Sequence, residues 1–169
     1  MTFRETTSDL ERELGKHIDE AIAMEQTVLR LLDSVIYGMD DEEVREALRL
    51  HKVETERHID RLQARLEVYG RSPSFVREAG GIVSGLMKSV LDLTRGESAG
   101  RNARDGYATE HLEIASYQLL ERVAHQAGDE ETAEAARENR KDEEAMAKKL
   151  DAHWDKFAQL SLKQEGVTA

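Results

Sequence analysis

The sequence predicts an all-α protein: four long helices packed as a bundle, with an additional short crossover helix between the second and the third. Three observations carry this. Four stretches place apolar residues at intervals of three and four, the period of one helix face. Turn residues separate those stretches, and the single Pro of the chain lies in one of the turns. No alternating β-branched run bounded by turn residues occurs, so strands are not expected.

The 169 residues fit one domain with a real core, about residues 8–162, and a tail over 164–169 that is expected to fray. Its first helix is expected to start at the cap-rich cluster Thr6-Thr7-Ser8-Asp9, where Ser8 and Glu11 fit a capping box. It should run to about Tyr37 and stop at Gly38. One stripe on it is Ile18, Ile22, Glu25, Leu29, Leu32 and Ile36. A second begins at Leu10 and Leu14 and continues through Ala21, Met24, Val28 and Leu31. So wide an apolar arc implies more than one neighbour, and a second subunit would account for it.

Asp40 or Asp41 should cap the second helix, which runs to about Tyr69. Its stripe is Val44, Leu48, His51, Thr55, His58, Leu62 and Leu66, with Glu54 alongside. The turn before it is short, so these two helices should be antiparallel neighbours. Gly70 to Ser74 ends the second helix, because Gly stops it and Pro73 disfavours helix at the residue before. Residues 75–93 keep helical spacing, but Gly80, Gly81 and Gly85 weaken it, giving the short crossover helix. Residues 95–101 read as a loop. The third long helix should span about Asn102–Ala127, with a tight turn at Gly128-Asp129. The fourth should then run from Glu130 to Leu162 along Ala136, Asn139, Glu143, Met146, Leu150, His153 and Phe157.

Composition excludes several functions. There is no Cys, so disulfides, thiolate metal sites and Cys nucleophiles are ruled out. The formal net charge of −11 disfavours nucleic acid and anionic membranes as partners. No apolar run reaches the ~18–20 residues of a membrane span, and the first residues lack a signal-peptide core. A cytoplasmic protein is the expectation.

Polar residues interrupt the apolar stripes near mid-helix. They are Glu25 on the first helix, His51, Glu54 and His58 on the second, Glu110 and Glu113 on the third, and Glu143 on the fourth. Unpaired charge inside a bundle costs several kcal/mol, roughly, so something positive should sit opposite. Oxygen donors with imidazole suit Fe or Mn, and two-metal sites of this kind are built from inward Glu and His on facing helices. Two dications would bring four positive charges against five carboxylates. Taken singly, each acid reads as a solvated one and each His as a structural one. The coincidence across all four helices is what points to a metal. Tyr107, Tyr117 and Trp154 read as core aromatics, or as redox-active neighbours of such a centre.

The runs EHLEIASYQLL (Glu110–Leu120), HKVETERHIDRL (His51–Leu62), AMEQ around Glu25 and DEEAMAKKL (Asp142–Leu150) resemble the YciF-like family of bacterial, ferritin-like, rubrerythrin-related proteins. The resemblance covers about residues 10–160. It implies a ferritin-like antiparallel four-helix bundle with a crossover helix, a homodimer, an association with stress and a di-iron centre. By position it implies Glu25, Glu54, Glu110, Glu113 and Glu143 as carboxylate ligands. The rubrerythrin pattern carries Glu-x-x-His on helices two and four, but here Arg57 and Met146 stand at the His positions. His58, or else His51, must supply nitrogen on helix two. On helix four His153 lies about 15 Å along the axis from Glu143.

The expected function is therefore a di-iron protein (Mn being possible) that reacts with O2 or peroxide. The alternative is a metal-free helical scaffold or interaction protein, its acids lining a hydrated core. Iron storage in a cage has no support in the sequence.

Overall fold

The computed structural model describes residues 3–39, 41–73 and 99–167, with side chains from residue 9 onward in the first stretch. The expected crossover helix at 75–93 lies outside them. Every regular element among the described residues is helical: α1 (Phe3–Gly38), α2 (Glu42–Val68), α3 (Ala99–Ala127), α4 (Glu130–Asp151) and α5 (Trp154–Gln164). None is long and apolar enough to cross a membrane.

Two tight turns set the antiparallel pairs. Between α1 and α2, Asp41 caps the second helix by accepting the Val44 N–H at 3.0 Å. Between α3 and α4, Gly128 takes a φ of +75°. Its N–H reaches His125 O, and the next N–H, of Asp129, reaches Ala124 O; this is a Schellman ending that requires the left-handed conformation Gly adopts without strain. Asp129 then caps α4 through the Thr132 N–H at 2.9 Å.

Three elements depart from the sequence expectation. Helix α1 starts at Phe3, so the Thr6–Asp9 cluster lies inside it rather than capping it. Ser, Thr and Asp disfavour a helix interior only mildly, and Asp9 finds Arg12 one turn on at 2.6 Å. Helix α3 starts at Ala99, so the last part of the expected 95–101 loop is helical. Its free N–H groups find acceptors on α5: Gln164 takes Ala99 N–H at 2.8 Å and Ser161 takes Gly100 N–H at 2.6 Å. The fourth helix is not continuous to Leu162. It breaks at Ala152–His153, where His153 N–H bonds to Leu150 O, a tighter i−3 bond. The break turns α5 across the bundle end. There Phe157 is buried, and Lys156 pairs with Asp41 and Glu43 at the start of α2.

The second stripe of α1 is covered within the chain. Leu14, Ala21, Met24, Val28 and Leu31 are all buried in the monomer, so the wide arc needs no second subunit. The core holds two large apolar clusters, with a small third of Met24 and Leu31 beside them. One is centred on Ile18, Ile22, Leu62, Leu66, Tyr117 and Leu120. The other holds Val28, Leu32, Leu48, Met146, Leu150 and Phe157. On every long helix, the residues between the two clusters are polar and buried: Glu25; His51, Thr55 and His58; Glu110 and Glu113; Asn139 and Glu143.

Candidate metal centre

This polar layer exists because each helix presents one stripe to the axis. On α1, Glu25 lies on the buried stripe between Ile22 and Val28. On α2, His51 and His58 are seven residues apart, two turns on the same face, and about 10 Å apart along the axis. Both point inward. On α3, Glu110 and Glu113 are one turn apart. On α4, Glu143 takes the stripe position between Asn139 and Met146.

The side chains converge in two groups that share one residue. His51, Glu110, Glu113 and Glu143 form the first, and Glu25, His58 and Glu143 the second; within each, the donor atoms lie within 4.8 Å of one another. His51 Nε2 is 3.3 Å from Glu110 Oε1 and 3.6 Å from Glu143 Oε2. His58 Nδ1 is 2.9 Å from Glu143 Oε1 and 3.3 Å from Glu25 Oε1. None of these approaches has the angles of a hydrogen bond. Among the described residues, buried side-chain atoms without a hydrogen-bond partner concentrate here: both oxygens of Glu113 and of Glu143, Oε2 of Glu25 and of Glu110, His51 Nε2 and His58 Nδ1. Native interiors seldom leave such atoms unpaired. Donors that converge without bonding one another fit a cation.

The outward nitrogen of each His is held by an acid. Glu54 faces His51 Nδ1 at 3.4 Å, and Asp142 faces His58 Nε2 at 3.1 Å. Carboxylates placed this way fix the tautomer and ring orientation of a metal-binding His. Glu54 belongs to neither donor group, and its side chain is 27% exposed. It stands behind His51 rather than among the converging atoms. Asp142 went unnoticed in the sequence because it lies off the apolar stripe, and only the approach of α4 to α2 brings it to His58. Tyr117 donates to Glu25 Oε1 and accepts from Asn139 Nδ2 at 3.0 Å, while Arg61 donates to Asn139 Oδ1 at 2.5 Å. A bonded chain thus runs from the half-buried Arg61 to Glu25. Trp154 stacks edge-on with Tyr107 at 5.6 Å, beside the second apolar cluster.

The electrostatics follow from burial and crowding. Burial raises the pKa of Glu113 well above the carboxylate range, and repulsion from Glu143, Glu25 and Glu110 adds to it. Burial likewise raises Glu25 and Glu143, although the nearby His58 imidazole opposes it. Burial would lower His58, but the Glu143 and Glu25 carboxylates beside it outweigh that and push His58 up to about 10. In a bare site, then, burial favours protons on Glu25, Glu113 and Glu143, and the surrounding carboxylates favour a charged His58. A cation would displace those protons.

The comparisons agree with this architecture. A protein from Xanthomonas campestris superposes with a TM-score of 0.78 at 26% identity, covering 94% of this chain and 99% of its own. The E. coli stress protein YciF gives 0.77 at 21% identity, covering 89% and 97%. A Desulfovibrio desulfuricans bacterioferritin, whose structure describes its diiron site, gives 0.75 at 18% identity, covering 92% and 85%. At such identities the last two speak to fold, and the bundle is ferritin-like. No curated protein matches the chain. The family described as a domain of unknown function (DUF892) matches residues 9–163, and the chain belongs to it.

Proposed function

We propose that the polar layer holds two iron ions and that the protein reacts with O2 or peroxide, as a di-iron oxidoreductase of peroxidase or ferroxidase type in a stress response. The observation that carries this is the convergence of four Glu and two His whose buried donor atoms lack partners. Ferritin-like two-metal sites use that same donor tally, distributed as a Glu from each of two helices and Glu-x-x-His from the other two. Here α1 and α4 give one Glu each, α3 gives two Glu and α2 gives two His. Four carboxylates balance two divalent ions with both imidazoles neutral, and Mn would satisfy the same donors. Glu143, common to both groups, fits a bridging role. Glu54 and Asp142 orient the imidazoles, and Tyr117 holds the Glu25 carboxylate. Bound there, ferrous iron would supply the electrons that reduce the oxidant. The stress and di-iron parts of the proposal draw on the descriptions of YciF and of the bacterioferritin.

The test is an anaerobic Fe(II) titration of metal-free protein followed by air or peroxide. Two equivalents bound, a raised melting temperature and new near-UV absorbance are the expected results, with one equivalent and the absorbance lost in Glu110→Ala. Wild type and variant that bind nothing and melt alike would overturn the proposal.

One observation favours a second reading, a metal-free scaffold. Protonated His58, beside both Glu25 and Glu143, can offset one of the two carboxylate charges without any metal. That reading expects no change in melting with iron or manganese.

A cytoplasmic homodimer completes the proposal, without nucleic-acid or membrane partners given the net charge of −11. Leu50 and Val53, both more than half exposed on α2, are the apolar residues such a dimer would cover. Sedimentation at twice the 19.1 kDa chain mass is expected.

A further inference from the structure

A cavity of about 70 Å³ lies beside the polar layer. Its walls are mostly apolar, among them Val28, Leu32, Leu48, Met146, Leu150 and Phe157. That is room for roughly five water-sized groups, in walls that offer water few partners. One lining residue belongs to the polar layer: Glu110, whose buried Oε2 has no hydrogen-bond partner. Asn102, two turns earlier on α3, lines the same cavity with a buried, unpartnered Oδ1. A second cavity of about 230 Å³ shares Met39, Ala99 and Asn102 with the first and reaches the exposed Gly38 and Lys163. Among the described residues it is one opening between the first cavity and the surface.

The chemistry of this cavity selects among oxidants. Apolar walls with a few convergent polar groups fit an organic ligand. They are a poor path for hydrated ferrous ions and a poor seat for hydrogen peroxide, whose several hydrogen bonds would go unmet. Glu110 turns Oε1 to His51 in the polar layer; its Oε2 and Asn102 Oδ1, both acceptors without partners, would be met by a ligand that donates. Asp105 on the lining and the chain's net charge of −11 oppose an anionic headgroup.

We infer that the cavity binds the alkyl chain of a neutral organic hydroperoxide, with its O–O–H end donating to Glu110. The inference rests on the di-iron function proposed above and names the oxidant for that site. Reduction breaks the O–O bond: ROOH, two electrons and two protons give ROH and water. The electrons are those released when two ferrous ions become ferric.

The probe is 1-octanol, standing for the alcohol product, and the reporter is Trp154. It is the only Trp of the chain, and its ring lies 6.2 Å from that of Phe157 on the cavity wall. A saturable fluorescence change with 1-octanol is expected, with octanoate at least tenfold weaker. Gly106 also lines the cavity, and a Cβ there would meet nothing closer than Leu150 Cδ1 at 3.8 Å. Gly106→Ala should therefore melt no lower than wild type while weakening octanol binding severalfold, and Gly106→Leu should weaken it at least tenfold. Ferrous-loaded protein should consume octyl hydroperoxide at least tenfold faster than hydrogen peroxide. No saturable octanol signal in protein that binds two iron equivalents would overturn the inference, as would binding untouched by both Gly106 variants or the reverse order of oxidants. Octanol binding weakened by both variants, in protein that takes up no iron, would sustain the cavity as a ligand site and overturn the di-iron reading alone.

Discussion

Two polar clusters in this bundle, one half-buried and one buried, follow opposite rules. At the α3–α4 turn, Asp129 is surrounded by donors. It accepts from Arg65 Nη2 at 3.0 Å, from Tyr69 OH and Thr132 Oγ1 at 2.5 Å each, and from Thr132 N–H at 2.9 Å. In the middle of the bundle, Glu25, Glu110, Glu113 and Glu143 face one another and two imidazoles, and most of their oxygens bond to nothing. The first cluster is complete within the chain and locks α2 to the α3–α4 turn. The second leaves most of its donor atoms without partners in the chain. The pKa shifts record the difference. Burial raises Asp129, but hydrogen bonds from Thr132, Tyr69 and Arg65 outweigh it and hold the group at about 2, whereas Glu113 is driven up. A satisfied cluster stabilises the fold, whereas an unsatisfied one marks a place where stability is given up for binding.

The contrast can be broken most severely at Glu143, which both donor groups share. Glu143→Ala should abolish both equivalents of bound iron, while Glu25→Ala should leave one, as counted by metal analysis after anaerobic loading and desalting. Equal losses in the two variants would contradict a shared residue between two sites.

Next in size is the satisfied cluster. Asp129→Ala strands Arg65 and Tyr69 and removes the α4 cap, and should destabilise by about 3 kcal/mol in chemical denaturation. Its iron stoichiometry should be unchanged. A variant that lost metal as well would show that the two clusters are coupled.

Glu54→Gln should weaken iron binding about 10- to 100-fold, the usual cost of removing a group that orients a metal-binding His, and should leave two equivalents at saturation. Loss of one equivalent would make Glu54 a ligand.

The smallest effect is in pH. The folded pKa of Asp129 is depressed, so its stabilisation is fully present above the usual value of 3.8 and is lost as pH falls through about 2. The raised acids Glu25, Glu113 and Glu143 act in the other direction in metal-free protein, which they destabilise as pH rises above the ordinary 4.5. Between pH 4 and 2, Asp129→Asn should therefore melt with a shallower acid dependence than wild type. An identical slope would mean that other carboxylates control acid unfolding.

Helical periodicity was legible because burial follows one face. The stripe of α2 named both His51 and His58, and the stripes of α1 and α4 named Glu25 and Glu143. Helix α3 was readable to its last residue, since Gly128 and Asp129 are an unambiguous stop and cap. What periodicity could not do was separate Glu54 from Glu110. Both sit one helical step from other polar residues, and only the packed bundle decides which carboxylate faces the axis and which stands behind an imidazole. Asp142 carried no signal, because its role depends on a helix 84 residues away. The break at Ala152–His153 has no Pro or Gly to announce it; burial of Phe157 and the pairing of Lys156 with the start of α2 reward the turn.

The sequence by itself determined the four long helical stretches (though not the break in the last), the two tight turns, the apolar faces and the four mid-helix positions where acids interrupt them. These are local matters of propensity, capping and period. Tertiary structure decided which donors converge, that both imidazoles point inward, that Glu54 and Asp142 hold them, that α1 is covered within the chain, and that a cavity reaches Glu110. Those depend on how far each helix is rotated and shifted against its neighbours. Side chains from three other helices set that rotation, and no single stretch of sequence contains it.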